Sequence, residues 1–137
     1  MASTKILVAE DEFIIAKDLE GTLERLGYEV VDVVATGEDA FKAAIYRRPN
    51  LVLMDIKLQG NMDGVQAAQQ IQTHLDIPVV YLTAHSDPDT LKRVIHSKTY
   101  GYLTKPFSVD GLKAAIEKAL TLHQKKTGST RGTPPSV

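Results

Sequence analysis

Four apolar residues run straight into a carboxylate at Leu51-Val52-Leu53-Met54-Asp55, and this stretch constrains the fold more than any other. A continuous apolar run of that length is a strand covered on both faces, as in a parallel sheet sandwiched between helices. Two similar runs end in polar groups: Ile6-Leu7-Val8-Ala9 stops at Glu10-Asp11-Glu12, and Val79-Val80-Tyr81-Leu82 stops at Thr83. Gly101-Tyr102-Leu103-Thr104 ends at Lys105-Pro106. In a parallel sheet with helical crossovers all these ends share one edge, so acids, a hydroxyl and a lysine are expected to converge on Asp55.

Helical periods alternate with the strands. Ile15, Leu19, Leu23 and Leu26 mark a first helix that Gly27 terminates. Glu29 to Ala35, β-branched and carrying Glu29 and Asp32, suits a strand near the sheet's edge. Ala40, Phe41, Ala44 and Ile45 are expected to face inward on a second helix, closed by Arg47-Arg48-Pro49-Asn50. Val65, Ala68, Ile71 and Leu75 mark a third helix, while Leu91, Val94 and Ile95 give the fourth only a short apolar stripe. After Ser108, which suits an N-cap, Leu112, Ala115, Ile116, Ala119 and Leu120 line the fifth.

Five strand-helix alternations predict an α/β doubly wound (βα)5 domain, with helices on both faces of a five-stranded parallel sheet. In the flavodoxin-like order 2-1-3-4-5 the switch point lies between strands one and three, where Asp11 and Asp55 would meet. The apolar period stops near Gln124, so residues 1–123 are expected to form the domain and 124–137 a disordered tail or the start of a linker.

With 137 residues, 16 basic against 17 acidic and a net charge of −1, the composition gives no reason to expect direct nucleic-acid or membrane binding. No cysteine is present, which removes thiol catalysis and thiolate metal sites. No apolar run approaches the roughly 20 residues of a membrane span, and the N-terminus lacks a secretory pattern. A cytoplasmic protein is the expectation.

Glu10, Asp11 and Asp55 offer hard oxygen donors without histidine or cysteine, which suits Mg2+. Glu12, by contrast, reads as a solvated acid. Alone, Lys105 is an ordinary surface lysine and Thr83 an ordinary cap; their places at strand ends aim an ammonium and a hydroxyl at the acids. His74, His96 and His123 have no ligand spacing.

In this order the chain resembles the receiver domains of two-component response regulators, from Lys5 to about Leu122. The resemblance rests on Glu10-Asp11, Asp55, Thr83-Ala84 and Tyr102-Leu103-Thr104-Lys105-Pro106-Phe107. It implies that Asp55 accepts a phosphoryl group from a sensor histidine kinase or phosphotransfer protein. It further implies that Asp11, Asp55 and the Lys57 carbonyl bind Mg2+, with Glu10 acting mainly through water. Thr83 and Lys105 would hold the phosphoryl oxygens, and the Lys105-Pro106 bond would be cis. Thr83 and Tyr102 would switch the face made by the fourth helix, fifth strand and fifth helix, which would also serve a homodimer.

Such a protein is a phosphoacceptor that assists its own phosphorylation and dephosphorylation, not an enzyme acting on other substrates. Lys57 and His85, two residues after Asp55 and Thr83, are candidate modulators of phosphoryl lifetime. Two departures stand out: Glu10 replaces the family's commoner aspartate, and the loop from Ile56 to Gly64 is one residue longer than the commonest pattern, with Gln59 at a usual proline. Two other classes are weighed. A Mg2+-dependent aspartyl-phosphate phosphohydrolase similar to the haloacid-dehalogenase enzymes wants Asp-x-Asp after the first strand, whereas Asp55-Ile56-Lys57 follows the third. A phosphorylation-independent pseudo-receiver would be expected to lose a key residue, and none is lost.

Overall fold

The computed structural model describes residues 3–84, 88–96 and 99–131. Five strands alternate with five helices: β1 Lys5–Ala9, α1 Phe13–Arg25, β2 Glu29–Val34, α2 Gly37–Arg47, β3 Leu51–Asp55, α3 Gly64–Leu75, β4 Val79–Ala84, α4 Pro88–His96, β5 Tyr102–Lys105 and α5 Val109–Arg131. All neighbouring strands pair in parallel, in the order β2-β1-β3-β4-β5. This is the expected flavodoxin-like doubly wound architecture.

The apolar runs lie where their composition requires. Every residue of β3 is buried, because β1 and β4 flank it and helices cover both faces. Alternate residues feed two separate cores: Val52 and Met54 join Ala40, Ala44, Ala68 and Ile71 on one face, and Leu51 and Leu53 join Leu19, Leu23, Leu112 and Ile116 on the other. β2 forms an edge, as its acids suggested. Its pairing with β1 shifts register between Ile6 and Leu7, Asp32 Oδ1 accepts a bond from the Val33 amide at 2.9 Å, and Arg47 approaches the other oxygen at 3.9 Å.

Helix ends follow local chemistry. Thr36 accepts from the Asp39 amide at the start of α2, and Asp63 forms a capping box with Gln66 at the start of α3. Ser108 Oγ accepts from the Gly111 amide at 2.9 Å, as its sequence position suggested. Gly27, with φ +94°, follows α1 in a conformation that glycine reaches without steric cost.

Two expectations need correction. Ile45 is 41% exposed, and Ala43 is buried instead. The inward stripe of α2 therefore runs through Ala40, Ala43 and Ala44, one helical spacing that leaves Ile45 at its flank. Secondly, α5 continues to Arg131 rather than ending near Gln124. Gln124, Lys125 and Lys126 are good helix formers, so helical hydrogen bonding outlasts the apolar stripe. Among the described residues, no helix is long and apolar enough to cross a membrane.

Candidate functional site

The C-terminal ends of four strands meet at one point. β1 delivers Glu10 and Asp11, β3 ends on Asp55, β4 carries Thr83 and β5 ends on Lys105. Pairing with β4 fixes Asp55 opposite Leu82, and the next amide, that of Ile56, donates to the Leu82 carbonyl at 3.1 Å. The end of β3 is thus held by the backbone of β4. Glu10 and Thr83 are each 2% exposed and Asp55 is 6% exposed.

Lys105 Nζ bridges the two buried acids, donating to Glu10 Oε1 at 2.7 Å and to Asp55 Oδ2 at 2.8 Å. Each carboxylate uses its other oxygen in a local turn. Asp55 Oδ1 accepts from the Lys57 amide at 3.0 Å, and Glu10 Oε2 accepts from the Glu12 amide at 3.1 Å. Such charge-assisted bonds orient both carboxylates before anything binds.

Burial raises the Glu10 carboxyl to about 7, and the hydrogen bond shared with Asp55 pushes the same way. Lys105 and the Glu12 amide pull it down by less. Burial works against the Lys105 ammonium, yet its bonds to Asp55 and Glu10 outweigh that and raise its pKa. The two shifts oppose each other across one contact. Geometry decides for the ion pair: a single ammonium serves two carboxylates, so Lys105 stays charged while one acid remains under-compensated.

Glu10, Asp11 and Asp55 each place a carboxylate oxygen within 4.8 Å of the others. Three hard oxygen donors at that spacing, with no sulfur or imidazole among them, fit a Mg2+ ion.

The expected residues therefore converge, with some distinctions. Asp11 is partly exposed at the rim, and the Lys57 side chain faces solvent while its amide holds Asp55. Tyr102 on β5 lies across from Tyr81 on β4 and is 44% exposed. The Lys105-Pro106 bond is cis. His85 lies outside the described residues. Three contacts were not read from the sequence: the Glu10 bond to Lys105, the Glu38 bond to the Asn61 amide at 3.0 Å, and the Asp63 ion pair with Arg93 at 2.9 Å. Asp63-Gly64-Val65-Gln66 carries a readable capping-box spacing, but the other partners are too distant in sequence to leave a signal.

Residues 6–117 match the family described as the response regulator receiver domain. The chain belongs to that family. The receiver domain is 38% identical over 123 residues to the transcriptional regulatory protein PdtaR of Mycobacterium tuberculosis, covering 90% of this chain and 60% of that relative. It is 34% identical to the phyllosphere-induced regulator PhyR of Methylorubrum extorquens, covering 89% of this chain and 45% of PhyR. Both relatives are named as regulators, and this chain spans about half to three fifths of their length. Among solved structures, the signal receiver domain of a modulated diguanylate cyclase from Desulfovibrio desulfuricans superposes with a TM-score of 0.85 at 34% identity, covering 91% of this chain and 99% of that one.

Proposed function

We propose that Asp55 accepts a phosphoryl group from the phosphohistidine of a sensor kinase or phosphotransfer protein in a Mg2+-dependent reaction. The observation that carries this reading is the Lys105 ammonium seated on a buried Asp55 whose other oxygen is pinned by the Lys57 amide. A fixed carboxylate with a cation already beside it is prepared for in-line attack on phosphorus. An Asp55 oxygen-phosphorus bond forms, the donor's phosphorus-nitrogen bond breaks, and the electron pair leaves with the imidazole.

Asp11, Asp55 and the Lys57 carbonyl would hold Mg2+, with Glu10 acting mainly through water. When bound there, the ion neutralises the crowded carboxylates and withdraws charge from the phosphoryl oxygens. Lys105 follows the new negative charge from carboxylate to phosphoryl oxygen, on a flexible stem that permits the move. Thr83 donates its hydroxyl to another phosphoryl oxygen. Tyr102 then turns from its outward position into the space Thr83 leaves, changing the face of α4, β5 and α5 that partners read.

That face exposes Tyr102 on β5 and would serve a homodimer as well as other protein partners. Lys57 and His85 remain candidates for setting phosphoryl lifetime, and the protein would work in the cytoplasm. Output through a longer chain is a separate matter, since this one spans 60% of its PdtaR relative.

Intact-mass measurement with acetyl phosphate tests the assignment. Wild type should gain one phosphoryl group only with Mg2+ present, and Asp55→Asn should gain none; equal modification of both proteins, or modification in chelator, would sink it. In a companion experiment Thr83→Ala should still bind beryllofluoride at Asp55 while losing most of the amide shift at Tyr102.

A further inference from the structure

The loop after Asp55 joins the acid cluster to two helices in unequal ways. On the α2 side it is wedged: Gln59 pairs with Thr36, Glu38 Oε2 accepts from the Asn61 amide at 3.0 Å, and Glu38 Oε1 is buried beneath Gly60. Gly60 adopts φ +97°, and a Cβ there would lie 2.8 Å from Oε1, so even this approach depends on glycine. On the α4 side Arg93 Nη2 pairs with Asp63 Oδ2 at 2.9 Å, with both side chains partly exposed. Asp63 divides its carboxylate, because Oδ1 accepts from the Gln66 amide at 2.9 Å and caps α3.

Among the described side chains of α4, Val94 alone is buried. The Asp63–Arg93 contact ties this helix to the loop that follows Asp55. A displacement beginning at Asp55 meets backbone contacts towards α2 and a salt-sensitive side-chain contact towards α4. It passes to the side that gives way.

We propose that the Asp63–Arg93 ion pair is a tether that holds α4 in its resting position, and that modification of Asp55 is relayed to α4 through this loop. The route runs beside the one through Thr83 and Tyr102 and rests on the reading of Asp55 as phosphoacceptor. Glu38 is a positioning residue in this scheme, fixing the loop's far side.

Two substitutions isolate the tether. Asp63→Asn keeps a side-chain oxygen able to cap α3 and removes the charge, while Arg93→Gln leaves Asp63 untouched. Amide NMR spectra of wild type, both variants and the double variant would be recorded with and without Mg2+ and beryllofluoride, following Lys92, Arg93 and Val94 on α4 and Lys57 at the site. Without beryllofluoride, each single variant should move the α4 amides in the direction that beryllofluoride moves them in wild type. An exposed ion pair of this kind should change the α4 equilibrium about two- to fivefold. The double variant should move them no further than either single one, and raising salt on wild type should act in the same direction.

A Lys57 amide unmoved by beryllofluoride in wild type overturns the phosphoacceptor reading and the relay built on it. A Lys57 amide that moves, with α4 amides in both variants at wild-type positions or with the two displacements simply adding in the double variant, overturns the tether alone.

Discussion

β3 and β5 hand their terminal charges to the same point from opposite surroundings. β3 is buried along its whole length between two strands, and Asp55 is held by the Lys57 amide and by pairing with β4. β5 has four residues, lies at the sheet's edge and exposes Tyr102, and Lys105 reaches inward from it on a long flexible stem. The contrast separates the two strands: the carboxylate is fixed by neighbouring backbone, and the lysine reaches it on a flexible stem.

The strongest test of the contrast is at glycines beside each strand's end. A Cβ at Gly64 would overlap the Asp55 carbonyl and the Ile56 backbone, neither of which can yield, whereas one at Gly111 would meet the Ser108 hydroxyl at 3.0 Å and Leu103 Cδ1 at an ordinary 3.8 Å. Gly64→Ala should cost about 3 kcal/mol or more, and Gly111→Ala should stay within about 1 kcal/mol of wild type. Denaturant midpoints measure both; similar losses would erase the distinction between a rigid and a compliant end.

Core truncations extend the same comparison along the strands. Leu53 on β3 is fully buried, and Leu103 on β5 is partly so. Leu53→Ala should destabilise by about 2 to 5 kcal/mol through lost burial and a cavity, and Leu103→Ala by under about 2 kcal/mol because water already reaches its site. A larger loss at Leu103 would mean that the edge, not the centre, anchors the domain.

What the sequence disclosed follows the same division. Strand ends were legible because apolar runs stop abruptly at Asp55, Glu10 and Lys105, and a parallel sheet collects such ends at one edge. The α2 stripe was misjudged at Ile45 because three alanines pack closely against the sheet, and small residues give a weak apolar signal. The end of α5 was placed too early because periodicity reports burial, whereas a solvated helix can persist on propensity. Glu10 posed a different difficulty: its residue type announced a metal ligand, but only the fold reveals that it also reaches Lys105. The Arg93 tie to Asp63 spans 30 residues of sequence and has no local pattern.

The pH dependence examines whether one ammonium from the edge satisfies two acids from the interior. Glu10 in the folded protein titrates near 7, above its ordinary 4.5, so between those values the folded state holds more protons than the unfolded chain. Its stabilising contribution is complete below pH 4.5 and is lost as pH rises through 7. Metal-free protein should lose on the order of 1 to 3 kcal/mol from this group across that window. Glu10→Gln should flatten the slope; an equally steep variant would place the titration elsewhere.

A smaller effect separates the two aspartates. Asp11 has no bond to Lys105 among those described, whereas Asp55 does, so removing the Asp11 charge relieves repulsion without stranding the lysine. Asp11→Asn should raise metal-free stability by about 1 kcal/mol, and Asp55→Asn should raise it less. Melts in chelator decide the order, and a greater gain for Asp55→Asn would show that its pairing with Lys105 contributes little.

The opposite edge of the sheet bears on behaviour in concentrated solution. On β2 the Val33 amide already holds the Asp32 carboxylate, and the pairing with β1 is irregular near Ile6 and Leu7. A strand from a second copy could add there only by displacing that carboxylate and burying its charge, which makes open-ended stacking of sheets unfavourable. β2 thus protects the protein against aggregation along an edge that a flat, uncharged strand would leave open to templating.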